Sequence, residues 1–259
     1  MSYNQEEYIV LQAAKYEMLA DYYKFMDPRM HCHYYMKYVE CVQQLAHMHH
    51  HGGMGHVQGS GYGQQPYNRM STSKVRVFHA SPNAPAVDVY INGQMVLRNV
   101  SFGQISDYVD LPAGDYRIEV KPTGQISAVI TESVRVPGGG AFTVAAVGNV
   151  EDISLLTIPD DVNGEQGKAK VRFTHLSPDA PRVDIAVKGG DVLFSNVGFK
   201  ESTDYITLPP TKVDLEVRPA GSKQVVLTVP DVRLKAGEVY NAVAIGYLNG
   251  TPSLEATFI

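Results

Sequence analysis

HASPNAPAVDVYINGQ, residues 79–94, returns 96 residues later as HLSPDAPRVDIAVKGG, residues 175–190. Each copy is entered through the same extended segment, KVRVFHAS at Lys74 and KVRFTHLS at Lys170. A period of two puts Val75, Val77 and His79 on one face, with Val171, Phe173 and His175 as their twins. Proline and Asn or Asp in SPNAP and SPDAP then impose a turn. VDVYING and VDIAVKG resume the alternation, with Val87, Val89 and Ile91 inward and a glycine turn at the end.

The duplication continues at an offset of 97. NVSFGQISDYVDLPAG corresponds to NVGFKESTDYITLPPT, so Phe102, Asp107, Tyr108, Leu111 and Pro112 pair with Phe199, Asp204, Tyr205, Leu208 and Pro209. IEVKPTG pairs with LEVRPAG, and FTVAAVGN with YNAVAIGY. Each copy holds about seven short strands between Pro, Gly and Asn turns, with no helical segment. The expectation is a mainly β chain of two tandem antiparallel β-sandwiches with an immunoglobulin-like layout. Residues 74–159 form the first and 170–259 the second, with the polar stretch 160–169 as a linker.

His79, Ser81 and Asp88, repeated as His175, Ser177 and Asp184, supply the residue types of a catalytic triad. Physical arguments point the other way. A nucleophilic serine needs a strained, exposed turn with oxyanion donors nearby, and here Pro82 and Pro178 follow it directly in a rigid turn. The histidines are in phase with the core, where an imidazole caps the turn through backbone groups. Asp88 lies on the opposite face of its strand. Eight residues, His79, Ser81, Pro82, Asp88, His175, Ser177, Pro178 and Asp184, are therefore expected to be structural, since buried polar groups exist to satisfy hydrogen bonds. Tyr108 and Tyr205, just before a Leu-Pro corner, are expected to lock that corner. The sequence shows no phosphate loop, paired catalytic carboxylates or cysteine nucleophile in the repeats, and implies no enzyme and no cofactor.

Ahead of the repeats, residues 1–50 read as an α-helical hairpin. Glu6 to Met26 is rich in helix formers and free of Gly and Pro. Leu11, Ala14, Met18, Tyr22 and Phe25 recur at steps of three and four, which predicts the buried stripe. Asp27–Pro28 is an N-cap with proline at the first helical position. The second helix should run from Pro28 to about His49, with Tyr34, Tyr35, Tyr38, Val39, Val42 and Leu45 as its stripe. Eight tyrosines within the first 38 residues give the pair more aromatic surface than two helices can hide. A helical cap on the β-repeats is one reading; self-association or docking is the favoured one. Cys32 and Cys41, nine residues apart, fall on opposite faces of one helix and cannot bond to each other without melting it. Buried thiols and cross-links between chains both remain open.

Residues 51–73, with the end of the second helix, form a Gly, His, Gln and Ser-rich stretch that reads as a flexible tether. His47, His49, His50, His51 and His56 suit a divalent transition metal by ligand type. Their spacing matches no structural zinc motif, and no metal is expected.

Bulk composition narrows the classes further. With 44% hydrophobic and 19% charged residues the chain is globular, and a net charge of −5 lacks the basic excess of a nucleic-acid partner. No apolar run reaches the roughly 20 residues of a membrane-spanning helix. MSYNQEEYIVLQAAK has no positive leader or apolar signal core, so Sec-type export is not expected.

The string His-x-Ser-Pro-x-Ala-Pro-x-Val-Asp, with NVSFGQISDYVDLPAGDYRIEV after it, resembles the bacterial family known as domain of unknown function 4397, over residues 74 to about 259. The resemblance implies β-rich, often tandem proteins of the bacterial cell surface with no established catalytic residues. With no export signal expected, this chain would depart from the family's commoner pattern. Its Tyr/His-rich helices resemble those of spore-associated proteins of endospore formers. That likeness implies synthesis in the cytoplasm and assembly on the spore coat or exosporium; a cytoplasmic protein is the alternative. The leading expectation is thus a non-enzymatic structural or interaction protein of a bacterial surface layer, self-associating or binding other layer proteins through its helices. The alternative is a carbohydrate- or other ligand-binding module using the sandwich loops. The lack of Trp counts against it, with Tyr62, Tyr67 or Tyr90 left to stack on a sugar.

Overall fold

A computed structural model describes residues 5–23, 28–50 and 71–259. The chain divides into two compact units, Met1–Tyr67 and Asn68–Ile259.

In the first unit, α1 (Gln5–Tyr23) and α2 (Pro28–His50) pack antiparallel. Ile9 and Ala13 meet Cys41, Tyr38 and Leu45. At the other end Tyr34 stacks on Tyr23 and Tyr16, with centroids 5.5 and 6.4 Å apart. The buried face is not the expected one. Ile9, Ala13 and Ala20 are buried, whereas Leu11 is 54% and Met18 65% exposed, and Ala14 is exposed with them. Apolar residues surround α1 on all sides, so spacing alone selects no face; the small Ala13 and Ala20 let α2 approach closely there. The Tyr22 side chain, Phe25 and the Asp27 cap lie outside the described residues.

The second unit holds the two repeats, each a pair of four-stranded sheets. In the first repeat one sheet has the order β4 (Val109–Pro112), β1 (Thr72–His79), β7 (Ala141–Val147), β8 (Ser154–Asp160). The other has β3 (Gln94–Val100), β2 (Val87–Ile91), β5 (Gly114–Pro122), β6 (Ile130–Val136). The second repeat reproduces both orders. Its first sheet is β12 (Ile206–Leu208), β9 (Ala169–His175), β15 (Val239–Ile245), β16 (Glu255–Phe258). Its second is β11 (Val192–Val197), β10 (Val183–Val187), β13 (Thr211–Pro219), β14 (Leu227–Leu234). Strand pairing is antiparallel except that the entering strand of each repeat runs parallel to its seventh, β1 with β7 and β9 with β15.

Alternation places the cores. Val75, Val144 and Ala146 from one sheet meet Val87, Val89, Val120 and Val134 from the other. Val171, Phe173 and Ala242 meet Val183, Ile185, Val217 and Val232 in the twin. The opposite faces of β1, β7, β9 and β15 are not solvated. Phe78, Ala80, Ala145, Val147 and Ile158 of the first repeat close one buried cluster with Leu176, Val243 and Ile245 of the second. The two sandwiches therefore stack through the outer faces of their first sheets.

Candidate functional site

The repeated turn closes on its histidine. His79 Nε2 lies 3.1 Å from Pro85 O, and His175 Nε2 lies 3.0 Å from Pro181 O. A carbonyl only accepts, so Nε2 carries the proton in both rings. Burial pushes both imidazoles below their usual pKa, which keeps them neutral. Phe102 and Phe199 pack edge-on against them at 6.5 and 6.4 Å between centroids.

The serines are fully buried and differ between copies. Ser177 donates its N–H to His175 Nδ1 at 3.3 Å and its hydroxyl to Gly246 O at 2.7 Å. In the first copy His79 Nδ1 and Ser81 Oγ have no protein partner. Pro82 is buried and Pro178 half-buried in the same turns. The third turn residue reaches out to the loop after the seventh strand. Asn83 Oδ1 accepts from Val150 N at 2.8 Å, and Asp179 accepts from Leu248 N at 2.6 Å and Asn249 N at 2.9 Å.

Asp88 and Asp184 are committed elsewhere. Asp88 Oδ1 accepts from Asn99 N at 2.8 Å and Thr123 Oγ1 at 3.0 Å; Asp184 accepts from Asn196 N at 2.7 Å and Gly221 N at 2.8 Å. Asn99 and Asn196 sit at φ +55° and +56°, each in a bulged strand, so the aspartates pin a left-handed bulge to the next turn. Histidine, serine and aspartate do not converge on a common point, and both serines lack access to solvent.

The twin loops meet at the junction between repeats. Asn149 follows β7 and Tyr247 follows β15 at the equivalent position, and the Tyr247 hydroxyl donates to Asn149 Oδ1 at 2.5 Å. Beside the apolar cluster a polar group surrounds Asp160. Its carboxylate accepts from Arg172 Nη2 at 2.6 Å, Tyr108 OH at 2.7 Å and Thr143 Oγ1 at 2.5 Å, with Arg76 Nε at 3.5 Å. Each arginine lies over a tyrosine, Arg76 over Tyr108 at 4.5 Å and Arg172 over Tyr205 at 4.7 Å. With its amide oxygen turned toward Arg172, Asn241 accepts from Nη2 at 3.0 Å and donates to Thr174 at 3.0 Å. Tyr108 thus belongs to the junction. The corner is locked by Tyr116, whose hydroxyl donates to Pro112 O at 2.8 Å.

The other sequence candidates lie in or beyond the hairpin. Cys41 is buried in the seam, and that burial pushes its thiol pKa up, an environment that disfavours the reactive thiolate. The side chains of Cys32, His47, His49 and His50, and all of His51, His56, Tyr62 and Tyr67, lie outside the described residues. Among the described residues no cluster of three or more His, Cys, Asp or Glu could hold a metal. None of the described helices is long and apolar enough to cross a membrane. The junction residues Asp160, Arg76, Arg172, Asn149 and Tyr247 were not singled out by sequence reasoning. Their signal was present in FTVAAV and NAVAIG, runs too continuously apolar for strands with one wet face.

The sequence matches the family described as Domain of unknown function (DUF4397) over residues 73–186 and again over 169–259. The chain belongs to this family. The first match contains the turn at His79 and runs through the junction into the turn at His175, which the second match contains as well. Comparison with curated proteins gives no match. Among solved structures, the Bacillus anthracis TIE protein is 13% identical over 67% of this chain and 33% of its own, with a TM-score of 0.23. The family CBM26 module CBMbc of Eubacterium rectale Amy13K, solved with maltoheptaose, is 11% identical over 73% and 96%, with a TM-score of 0.24. GBS52, the minor pilin of Streptococcus agalactiae, is 10% identical over 71% and 100%, with a TM-score of 0.19. The chain spans about a third of the length of the TIE protein. At these TM-scores the likeness carries nothing about function.

Proposed function

We propose that the protein is a non-enzymatic structural or interaction component of a bacterial surface layer, the spore coat or exosporium, joined to further copies of itself through the helical hairpin. The carrying observation is the face that α1 leaves uncovered. Leu11, Ala14 and Met18 form a continuous exposed stripe, with Tyr8 58% and Val10 49% exposed beside it. An apolar stripe on a small helical hairpin is a contact surface, and a two-fold pairing would cover it with the same stripe of a second copy. In this reading residues 1–50 associate, 51–73 act as a tether, and the sandwiches 74–159 and 170–259, with 160–169 between them, present the outer surface. The spore location rests on the resemblance of the Tyr/His-rich helices to spore-associated proteins. Light scattering on the full chain should give a multimer that becomes a monomer when residues 1–50 are removed. A full chain that stays monomeric at high concentration would end this reading, and a fluorescent fusion that stays diffuse through sporulation would end the spore assignment.

The carbohydrate reading has less support. Lys121 Nζ sits over the Tyr90 ring, 4.2 Å from its centroid, and occupies a face that a sugar would need.

A further inference from the structure

Among the core positions at which the two sandwiches differ, one lies beside the Leu-Pro corner. Tyr116 in β5 and Val213 in β13 are structural twins, because Tyr116 pairs across the sheet with Val134 and Val213 with the equivalent Val232. In the first repeat the Tyr116 ring packs against the core cluster and its hydroxyl donates to Pro112 O at 2.8 Å. The space left between the sheets there is about 30 Å³. In the second repeat valine replaces the ring, and a cavity of about 170 Å³ lies beside it. Leu208, Pro209, Val213, Val232, Leu234 and Phe258 line it, with almost no polar surface. Larger residues elsewhere, Phe173 for Val77 and Phe194 for Leu97, do not close it. Pro209 is exposed and Thr211 half-buried, so the cavity reaches the surface at the Leu-Pro corner.

We infer that this cavity is a binding site for a single-ring phenol, held as the first repeat holds the side chain of Tyr116. An apolar cavity of about 150 Å³ is known to stay dry and take up benzene, so the volume suits one aromatic ring. The orientation comes from the twin. With its ring against Val213, Val232 and Leu234, the ligand would direct its hydroxyl toward Pro209 O, the counterpart of Pro112 O. The ring gains burial without immobilising a flexible chain, and the hydroxyl gains the hydrogen bond that the corner already makes once.

The test uses the full chain and p-cresol, followed by methyl resonances of the second repeat and by the thermal midpoint. Saturable binding is expected, with shifts concentrated at Leu208, Val213, Val232 and Leu234 and a raised midpoint. Toluene, which lacks the hydroxyl, should bind roughly threefold to tenfold more weakly. V213Y should fill the cavity with a tethered phenol and abolish p-cresol binding. Should V213Y fail to fold, V213F fills the ring volume alone and should also abolish binding. No saturable response of the wild-type chain would overturn the inference, as would binding that survives V213Y or V213F. Equal binding of toluene and p-cresol would overturn the assignment to phenols.

Discussion

Arg172 and Asp160 form a buried ion pair across the junction, Nη2 to Oδ1 at 2.6 Å, with side chains only 4% and 2% exposed. Asp160 ends the last strand of the first repeat and Arg172 lies in the first strand of the second. Removing one partner of such a pair leaves an uncompensated buried charge, at a typical cost of about 3–5 kcal/mol. Asp160→Ala should therefore lower the unfolding free energy by about that amount in denaturant titration, and leave Tyr108 and Thr143 without their acceptor. A loss below about 1 kcal/mol would mean that the junction is held by its apolar cluster alone.

His79 and His175 give the repeats an acid limit. Burial lowers both pKa values, and around His175 Glu201 pulls upward while Arg182 pushes down. The unfolded chain then takes up a proton first as pH falls. Stability is full above the ordinary imidazole value near 6.5 and declines below it. The carboxylates held low, Glu119, Asp161, Glu201 and Asp214, lose their contribution only below the ordinary carboxylate range near pH 4. The midpoint of thermal unfolding should drop between pH 7 and pH 5. His79→Gln with His175→Gln keeps an N–H for the proline carbonyl and should flatten that slope. An equal slope in both proteins would place the titration elsewhere.

Asp184 clamps two backbone N–H groups, Oδ1 accepting from Asn196 and Oδ2 from Gly221. Asp184→Ala should cost about 2–4 kcal/mol, because two charge-assisted bonds go and two donors near the bulge lose their acceptor. Asp184→Asn keeps one acceptor and should fall between. If both variants unfold with the wild type in urea, the bulge does not depend on the clamp.

The cores were legible because Val75, Val87 and Val89 follow a strict period of two between turns marked by Pro, Asn and Gly. The doubling of HxSPxAP fixed the number of sandwiches for the same reason. The junction was harder to see. Phe78, Thr143 and Val147 occupy the face that alternation assigns to solvent, and only the docking of a second sheet determines that they are covered. Corner locking was read from Tyr108, beside Leu111–Pro112, yet Tyr116 lies beyond that corner at the spacing that returns its hydroxyl to Pro112 O. In α1 the failure was of another kind. Leu11, Ala14 and Met18 have helical spacing, but so do Ile9, Ala13 and Ala20, and the choice follows from which side admits α2 closely.

That choice leaves the larger apolar residues of α1 outside, and charges placed there should act on association without harming the fold. Leu11→Glu and Met18→Glu replace residues 54% and 65% exposed, so neither opens a cavity in the seam of Ile9, Ala13 and Cys41. Surface substitutions of this kind usually change stability by less than about 0.5 kcal/mol. In a two-fold pairing, however, each glutamate would face an apolar partner or its own symmetry mate, and the penalty is counted twice. The double variant should keep the helical circular dichroism of the wild type and sediment as a monomer at concentrations where the wild type does not. Ala13→Glu, at a buried position, should instead melt the hairpin. A double variant that still associates would move the contact to another surface.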